Sequence, residues 1–160
     1  MSAPIATLFG IGHLRPAPGT WGSLATLPLF WASYQLTGLG GVLLIGAAIF
    51  FVGWWATESY IRATASHDPS EVVIDEVAGQ WIALLPLAFA MSFSNAQTGA
   101  LWPEWAAAFV LFRLFDITKP GPVGWADRRD DALGVMLDDC FAGIFAAIGV
   151  VIVSALWQGF

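Results

Sequence analysis

Charge is what this chain lacks most. Of its 160 residues only 11% are charged, while 58% are hydrophobic and the mean hydropathy is +0.71. Soluble domains carry roughly a quarter charged residues, so a water-facing surface over most of the chain is excluded. Basic residues are scarcer still, six against twelve acidic ones, for a formal net charge of -6. Phosphate backbones demand a basic surface, which excludes nucleic acid as a partner. The same shortage excludes anchoring through a polybasic patch, so attachment to a bilayer must come from inserted helices. A single cysteine, Cys140, excludes an intrachain disulfide. It precedes Phe141-Ala142-Gly143 rather than an anion loop ending in Arg, and reads as core packing. The two histidines, His13 and His67, have no helical pairing and argue against a zinc site. The start of the chain lacks a basic stretch and its apolar run is short, so no cleavable signal is expected. No long polar stretch leaves room for a second unit, and one membrane-embedded domain over 1–160 is expected.

The charge that is present gathers in three polar islands, residues 13–23, 66–76 and 113–139. Between and around them run five apolar segments: 21–36, 41–61, 77–93, 100–114 and 140–157. The expected fold is an all-α membrane bundle of about five helices, with several segments short of the roughly 20 residues a perpendicular span needs. Two apolar segments separate each island from the next, joined by 37–40 and 94–99, so each pair reads as a hairpin. All three islands then land on one face, and all six basic residues lie in or beside it. The positive-inside rule makes that face cytoplasmic.

Charges beside bilayer-length helices are costly and seldom accidental. In the second island, Asp68-Pro69-Ser70-Glu71 reads as a helix start with a capping box, which accounts for Asp68 and Glu71. Asp75 and Glu76 come later, where no capping role is expected, and need a cation or a basic partner to stay ionised. Gly79, four residues after Asp75, leaves space on the same face for a backbone or a ligand. In the third island Arg113, Asp116 and Lys119 share a broad helix face; a plain ion pair is the simplest account of Asp116. Pro120 ends that helix, and 120–122 reads as an irregular loop. The run 127–131 reads as mostly solvated charge. Asp138-Asp139 directly precedes the last apolar segment, where one of the two is enough for a cap.

Asp75, Glu76, Asp116, Asp138 and Asp139 together offer only oxygen ligands. That donor set suits a hard cation, and beside a phosphate the usual choice is Mg²⁺. The first island supplies what a phosphate needs. Arg15 is a forked donor, and 18–23, with Thr20 and Ser23 as candidate substrate contacts, opens a helix whose N–H groups suit an anion.

The blocks Pro16-Ala17-Pro18-Gly19-Thr20-Trp21-Gly22-Ser23-Leu24, Val73-Ile74-Asp75-Glu76-Val77-Ala78-Gly79-Gln80-Trp81, Phe112-Arg113-Leu114-Phe115-Asp116-Ile117-Thr118-Lys119-Pro120-Gly121-Pro122 and Gly134-Val135-Met136-Leu137-Asp138-Asp139-Cys140-Phe141-Ala142-Gly143 cover much of the chain. In order and spacing they resemble the phosphatidylglycerophosphatase A family of bacterial membrane lipid phosphatases. The resemblance implies Mg²⁺-dependent removal of the terminal phosphate of phosphatidylglycerophosphate at the cytoplasmic face of the inner membrane. Asp75, Glu76, Asp116 and Asp139 would be catalytic, Asp138 a further metal ligand, and Arg15, Thr20, Ser23, Arg113 and Lys119 would bind substrate. One departure stands out: Asp130-Asp131-Ala132-Leu133 stands where the family usually has paired glycines, which predicts a different loop over the headgroup. Two rivals use similar parts. A nucleotide-dependent lipid phosphotransferase should show an Asp-Gly…Ala-Arg…Gly…Asp…Asp pattern, absent here. A cation-conducting protein should place acidic groups at mid-span, whereas these gather at one face.

Overall fold

The computed structural model describes residues 2–65, 69–93 and 98–158, and among these it is built from helices with no strand. The order is α1 (Ser2–Ala6), a 3-10 turn (Ile11–His13), α2 (Pro18–Thr64), α3 (Ile74–Phe93), a second 3-10 turn (Thr98–Leu101), α4 (Trp102–Thr118), α5 (Pro122–Asp127) and α6 (Ala132–Gln158). Three helices, α2, α3 and α6, are long and apolar enough to cross a membrane.

The 47 residues of α2 are two helical limbs that meet at Gly38, whose φ of 64° and ψ of -167° lie outside the helical region. Essentially only glycine holds that conformation. Packing shows that the chain reverses there. Gly22 lies against Val73 and Gly53 against Ile74. In a straight helix those two glycines would stand about 46 Å apart. At the other end, Phe30 meets the Trp81 ring edge-on at 5.0 Å, and Trp81 Nε1 donates to the Val42 carbonyl at 3.1 Å. The expected hairpin over 37–40 is therefore present, as two limbs of one element.

α3 is the most deeply buried of the three long apolar helices. Trp81, Leu84 and Leu87 are buried in one core cluster with Phe30, Phe112 and Val150, and Val77 in a second with Ala56 and Met136. By contrast α2 and α6 leave large apolar side chains such as Leu44, Phe51, Ile148 and Val151 exposed, the surface expected where lipid is the solvent. α6 runs parallel to α3, Asp139 beside Gly79 and Gly143 beside its carbonyl. α4 runs antiparallel to α6: Phe115 meets Phe145 at 5.7 Å, and Trp102 meets Trp157 at 5.7 Å at the far end. At 17 residues, α4 is shorter than α2, α3 and α6, about 26 Å at 1.5 Å per residue.

Three local expectations are corrected. α3 begins at Ile74, not at residue 68. Asp68 lies outside the described residues, and Val72 N–H bonds Pro69 O in a turn while Val73 N–H bonds Ala6 O, so this stretch is held by the N-terminal segment instead of coiling. α6 begins at Ala132, so Asp138 and Asp139 are interior to the helix and cap nothing. The Pro120–Pro122 stretch is only briefly irregular, with Gly121 at φ 50°, before α5 forms.

Candidate active site

The ends of four helices meet in one cavity of about 290 Å³. Ala17, Pro18 and Gly19 from the start of α2, Asp75 and Glu76 from the first turn of α3, Arg113 and Asp116 from the last turns of α4, and Asp138 and Asp139 from α6 all line it, with Lys119 just past α4. The three polar islands thus form one site, as their shared face requires.

The crossing of α3 and α6 sets its floor. A Cβ on Gly79 would stand 2.4 Å from the Asp139 carbonyl oxygen, and one on Gly143 would stand 2.3 Å from the Gly79 carbonyl. Each glycine sits one turn below an acidic residue on its own helix, Gly79 below Asp75 and Gly143 below Asp139. Their lack of side chains is what lets the two acidic pairs face each other. Carboxylate oxygens of Asp75, Glu76 and Asp139 come within 4.8 Å of one another, and all three residues are largely buried. Asp75 Oδ1 accepts the Glu76 N–H, and Asp138 Oδ1 accepts the Asp139 N–H, both at 2.9 Å. Gly19 also permits a close approach: a Cβ there would lie 2.1 Å from Glu76 Oε1.

Asp116 and Asp138 have basic partners. Arg113 Nη1 lies 2.5 Å from Asp116 Oδ2, and Lys119 Nζ donates to Asp138 Oδ2 at 2.8 Å and also to Asp127. Burial alone would lower the pKa of Lys119, but the bonds to Asp127 and Asp138 outweigh it and raise it above the ordinary lysine value. Five carboxylates therefore stand against two cations, and Glu76 Oε2 is buried without a hydrogen-bond partner. Three converging carboxylates with no nitrogen or sulfur ligand, and one orphaned oxygen, fit a hard divalent cation. On the other wall, Arg113 Nε has no hydrogen-bond partner, and its Nη1, though ion-paired, is not aligned for one. The N-cap of α2, Ala17, offers no side-chain cap to the first amides of that helix. Free guanidinium donors and an uncapped helix start are anion-binding features.

Arg15, Thr20 and Ser23 do not line the cavity. Arg15 is exposed and pairs with Glu71 at 3.5 Å. Ser23 is fully buried, and its hydroxyl donates to the Gly19 carbonyl at 2.9 Å within its own helix. Thr20 is half-buried beside the cavity-lining Gly19. The 127–131 run is largely exposed, as read, and Asp127, Arg129 and Asp130 also line the rim of the cavity. Asp131 Oδ1 accepts the Gly134 N–H at 2.7 Å, capping α6, and both Asp131 oxygens take hydrogen bonds from Arg129. Cys140 is buried among Ala56, Ala78 and Met136, as expected. Two residues were not singled out in the sequence: Asp127, read only as part of the solvated run, and Gln80. Gln80 lies one turn below Glu76, fully buried with neither amide atom partnered; only its i+4 spacing could have singled it out.

Residues 4–154 match the family model described as Phosphatidylglycerophosphatase A. The chain is 36% identical to proteins named phosphatidylglycerophosphatase A from Haemophilus influenzae (96% of this chain, 88% of the relative) and Escherichia coli K12 (89% and 77%). It is also 36% identical to a Bacteroides thetaiotaomicron protein provisionally named a phosphatidylinositol-3-phosphatase, over 96% of this chain and 92% of that one. No solved structure matches the chain. By family and by relatives, this helical membrane protein is a lipid phosphatase and belongs to the phosphatidylglycerophosphatase A family.

Proposed function

We propose that the chain hydrolyses the terminal phosphate monoester of phosphatidylglycerophosphate to phosphatidylglycerol and inorganic phosphate, at the cytoplasmic face of a bacterial inner membrane. The observation that carries this reading is the meeting of Asp75, Glu76 and Asp139 within 4.8 Å in the cavity that the Arg113 guanidinium also lines. Asp75, Glu76 and Asp139 would hold Mg²⁺, which supplies charge neutralisation and Lewis acidity to the phosphoryl group. Arg113 and Lys119 bind the phosphoryl oxygens, and the first amides of α2 contribute further donors. Asp116 and Asp138 hold Arg113 and Lys119 in place. A water oxygen attacks phosphorus as it gives up a proton, the ester P–O bond breaks on the opposite side, and the leaving glycerol oxygen takes a proton from the surrounding water. Asp116, which lines the same cavity as Asp139, takes the proton from that water.

The deciding experiment is phosphate release from phosphatidylglycerophosphate in detergent micelles, with Mg²⁺ and with EDTA. Release that EDTA abolishes and Mg²⁺ restores is expected; no release by folded protein in either condition would overturn the reading. The similarity to the Bacteroides protein favours one alternative headgroup, so phosphatidylinositol 3-phosphate belongs in the same assay. A higher kcat/KM on that lipid would move the assignment to it.

A further inference from the structure

We infer that an apolar groove between the second limb of α2 and α3 is the seat of one acyl chain of the lipid substrate; this rests on the lipid phosphatase reading above. The groove encloses about 270 Å³ and is almost wholly apolar. One wall is Ala78, Ile82 and Leu85 of α3, and the other is formed by Gly46, Ala47 and Phe50 of α2. What separates it from the rest of the lipid-facing surface is its shape and its position. Gly46 and Ala47 make it concave, since neither projects a long side chain into it. Gly46 cannot be enlarged at all, because a Cβ there would meet the Trp81 ring at 2.9 Å.

Its position ties it to the carboxylates. Asp75, Ala78, Ile82 and Leu85 are spaced 3, 4 and 3 apart, a single stripe along one face of α3. The top of that stripe is in the polar cavity and the remainder is the wall of the groove. Cys140, which also lines the groove, follows Asp139 directly in α6. From Asp75 to Leu85 the rise is about 15 Å along the helix. A lipid phosphate whose headgroup sits among Asp75, Arg113 and Lys119 therefore has an apolar groove whose nearest α3 residue, Ala78, is one helical turn below Asp75 and which continues along α3 away from the polar face. An acyl chain covalently joined to that headgroup is the occupant this continuity selects, and binding remote from the reacting atoms then supports positioning at them.

The test uses two substrates with one headgroup, dioleoyl and dihexanoyl phosphatidylglycerophosphate, in the same detergent micelles with full-length protein. Ala47→Phe fills the groove from its exposed lip, and Ile82→Trp fills it from α3, so the test survives if one variant fails to fold. In the folded variant, KM for the dioleoyl lipid should rise about tenfold, with kcat and the dihexanoyl KM within about twofold of wild type, a selective loss of remote binding. Equal changes for both lipids, or none for either, would overturn the inference and leave the groove to bulk lipid or a neighbouring helix. Failure of the wild type on both lipids would instead count against the phosphatase reading itself, so the two failures are told apart.

Discussion

Two acidic regions border the same cavity and are built on opposite terms. At the α3–α6 crossing, Asp75, Glu76, Asp138 and Asp139 are brought together by helix packing at Gly79 and Gly143 and are mostly buried. On the rim, Asp127, Asp130 and Asp131 are interleaved with Arg128 and Arg129 on exposed chain. On the rim, charge is balanced locally: Arg129 and Asp131 pair at 2.8 Å, and Arg129 also lies over the Trp125 ring at 5.8 Å. At the crossing it is not, since Lys119 and Arg113 leave three carboxylates without a cation. Exposed pairs contribute little to stability and are screened by salt. Buried like charges are costly unless something of opposite sign joins them. A fold that keeps such a cluster does so for what binds there.

The sharpest way to break this comparison is to neutralise one carboxylate on each side. Asp75→Asn and Asp139→Asn should each lower kcat/KM at least about a hundredfold, the scale of losing a group that acts on the reacting atoms, while the protein still inserts. Asp131→Asn should change it by less than about threefold. Phosphate release assays on detergent-purified proteins check all three. Full activity in Asp75→Asn would sink the site assignment.

Next in size is Gly79→Ala. Replacing a helix-interior glycine by alanine gains up to about 1 kcal/mol of helix propensity, but this Cβ must displace the α6 backbone at 2.4 Å. Overpacking of that kind costs about 1–3 kcal/mol. The net stability change is therefore modest, whereas a shift of α6 moves Asp139 against Asp75. Activity should fall at least about tenfold, since small misplacements of reacting groups are expensive. Gly99→Ala is the control: a Cβ there meets nothing within 4 Å, and neither activity nor thermal midpoint should drop.

Lys119 joins the two regions, with Asp127 on the rim and Asp138 at the crossing. Lys119→Met should raise KM for the lipid about tenfold, the weight of roughly one charge-assisted hydrogen bond. Its folded pKa lies above the ordinary 10.5, so its contribution to stability is complete below that value and is lost as pH rises through the raised one. Unfolding midpoints of wild type and variant should keep a constant gap from pH 7 to 9 and close it only above about pH 10.5. A gap that closes below pH 9 would remove Lys119 as the bridge.

How much of this was legible in the sequence depended on whether a feature is local or made by crossing helices. The single polar face followed from counting apolar segments between islands, and the catalytic candidates Asp75, Glu76, Asp116 and Asp139 do line one cavity. Helix boundaries were read less well. The Asp-Pro-Ser-Glu pattern at 68–71 looks like a helix start, yet α3 waits until Ile74 because Val73 is bonded to Ala6, a contact no local pattern announces. Ser23 read as a candidate substrate contact at a helix start, but it is buried, and Gly19 and Gly22 let α2 press against Glu76 and Val73. Gly79 was legible as space, though only the structure shows that the Asp139 backbone fills it.

The smallest expected effect lies at Asp131, where the chain departs from the glycine pair usual in the family. The aspartate caps α6 through Gly134 N–H and holds Arg129, so this helix start is pinned by a side chain. Losing a side-chain cap costs about 1 kcal/mol, and Asp131→Ala should lower stability by that amount at neutral pH with activity nearly unchanged. The hydrogen bonds from Arg129 and Gly134 hold the Asp131 carboxyl below its ordinary 3.8. Its stabilisation is therefore present above 3.8 and lost as pH falls through the lower folded value. Unfolding of wild type and Asp131→Ala should differ at pH 7 and converge in acid. A difference that persists there would mean that the side chain acts through packing and not through its charge. A large loss of activity at pH 7 would place the rim inside the working site and erase the contrast with the crossing.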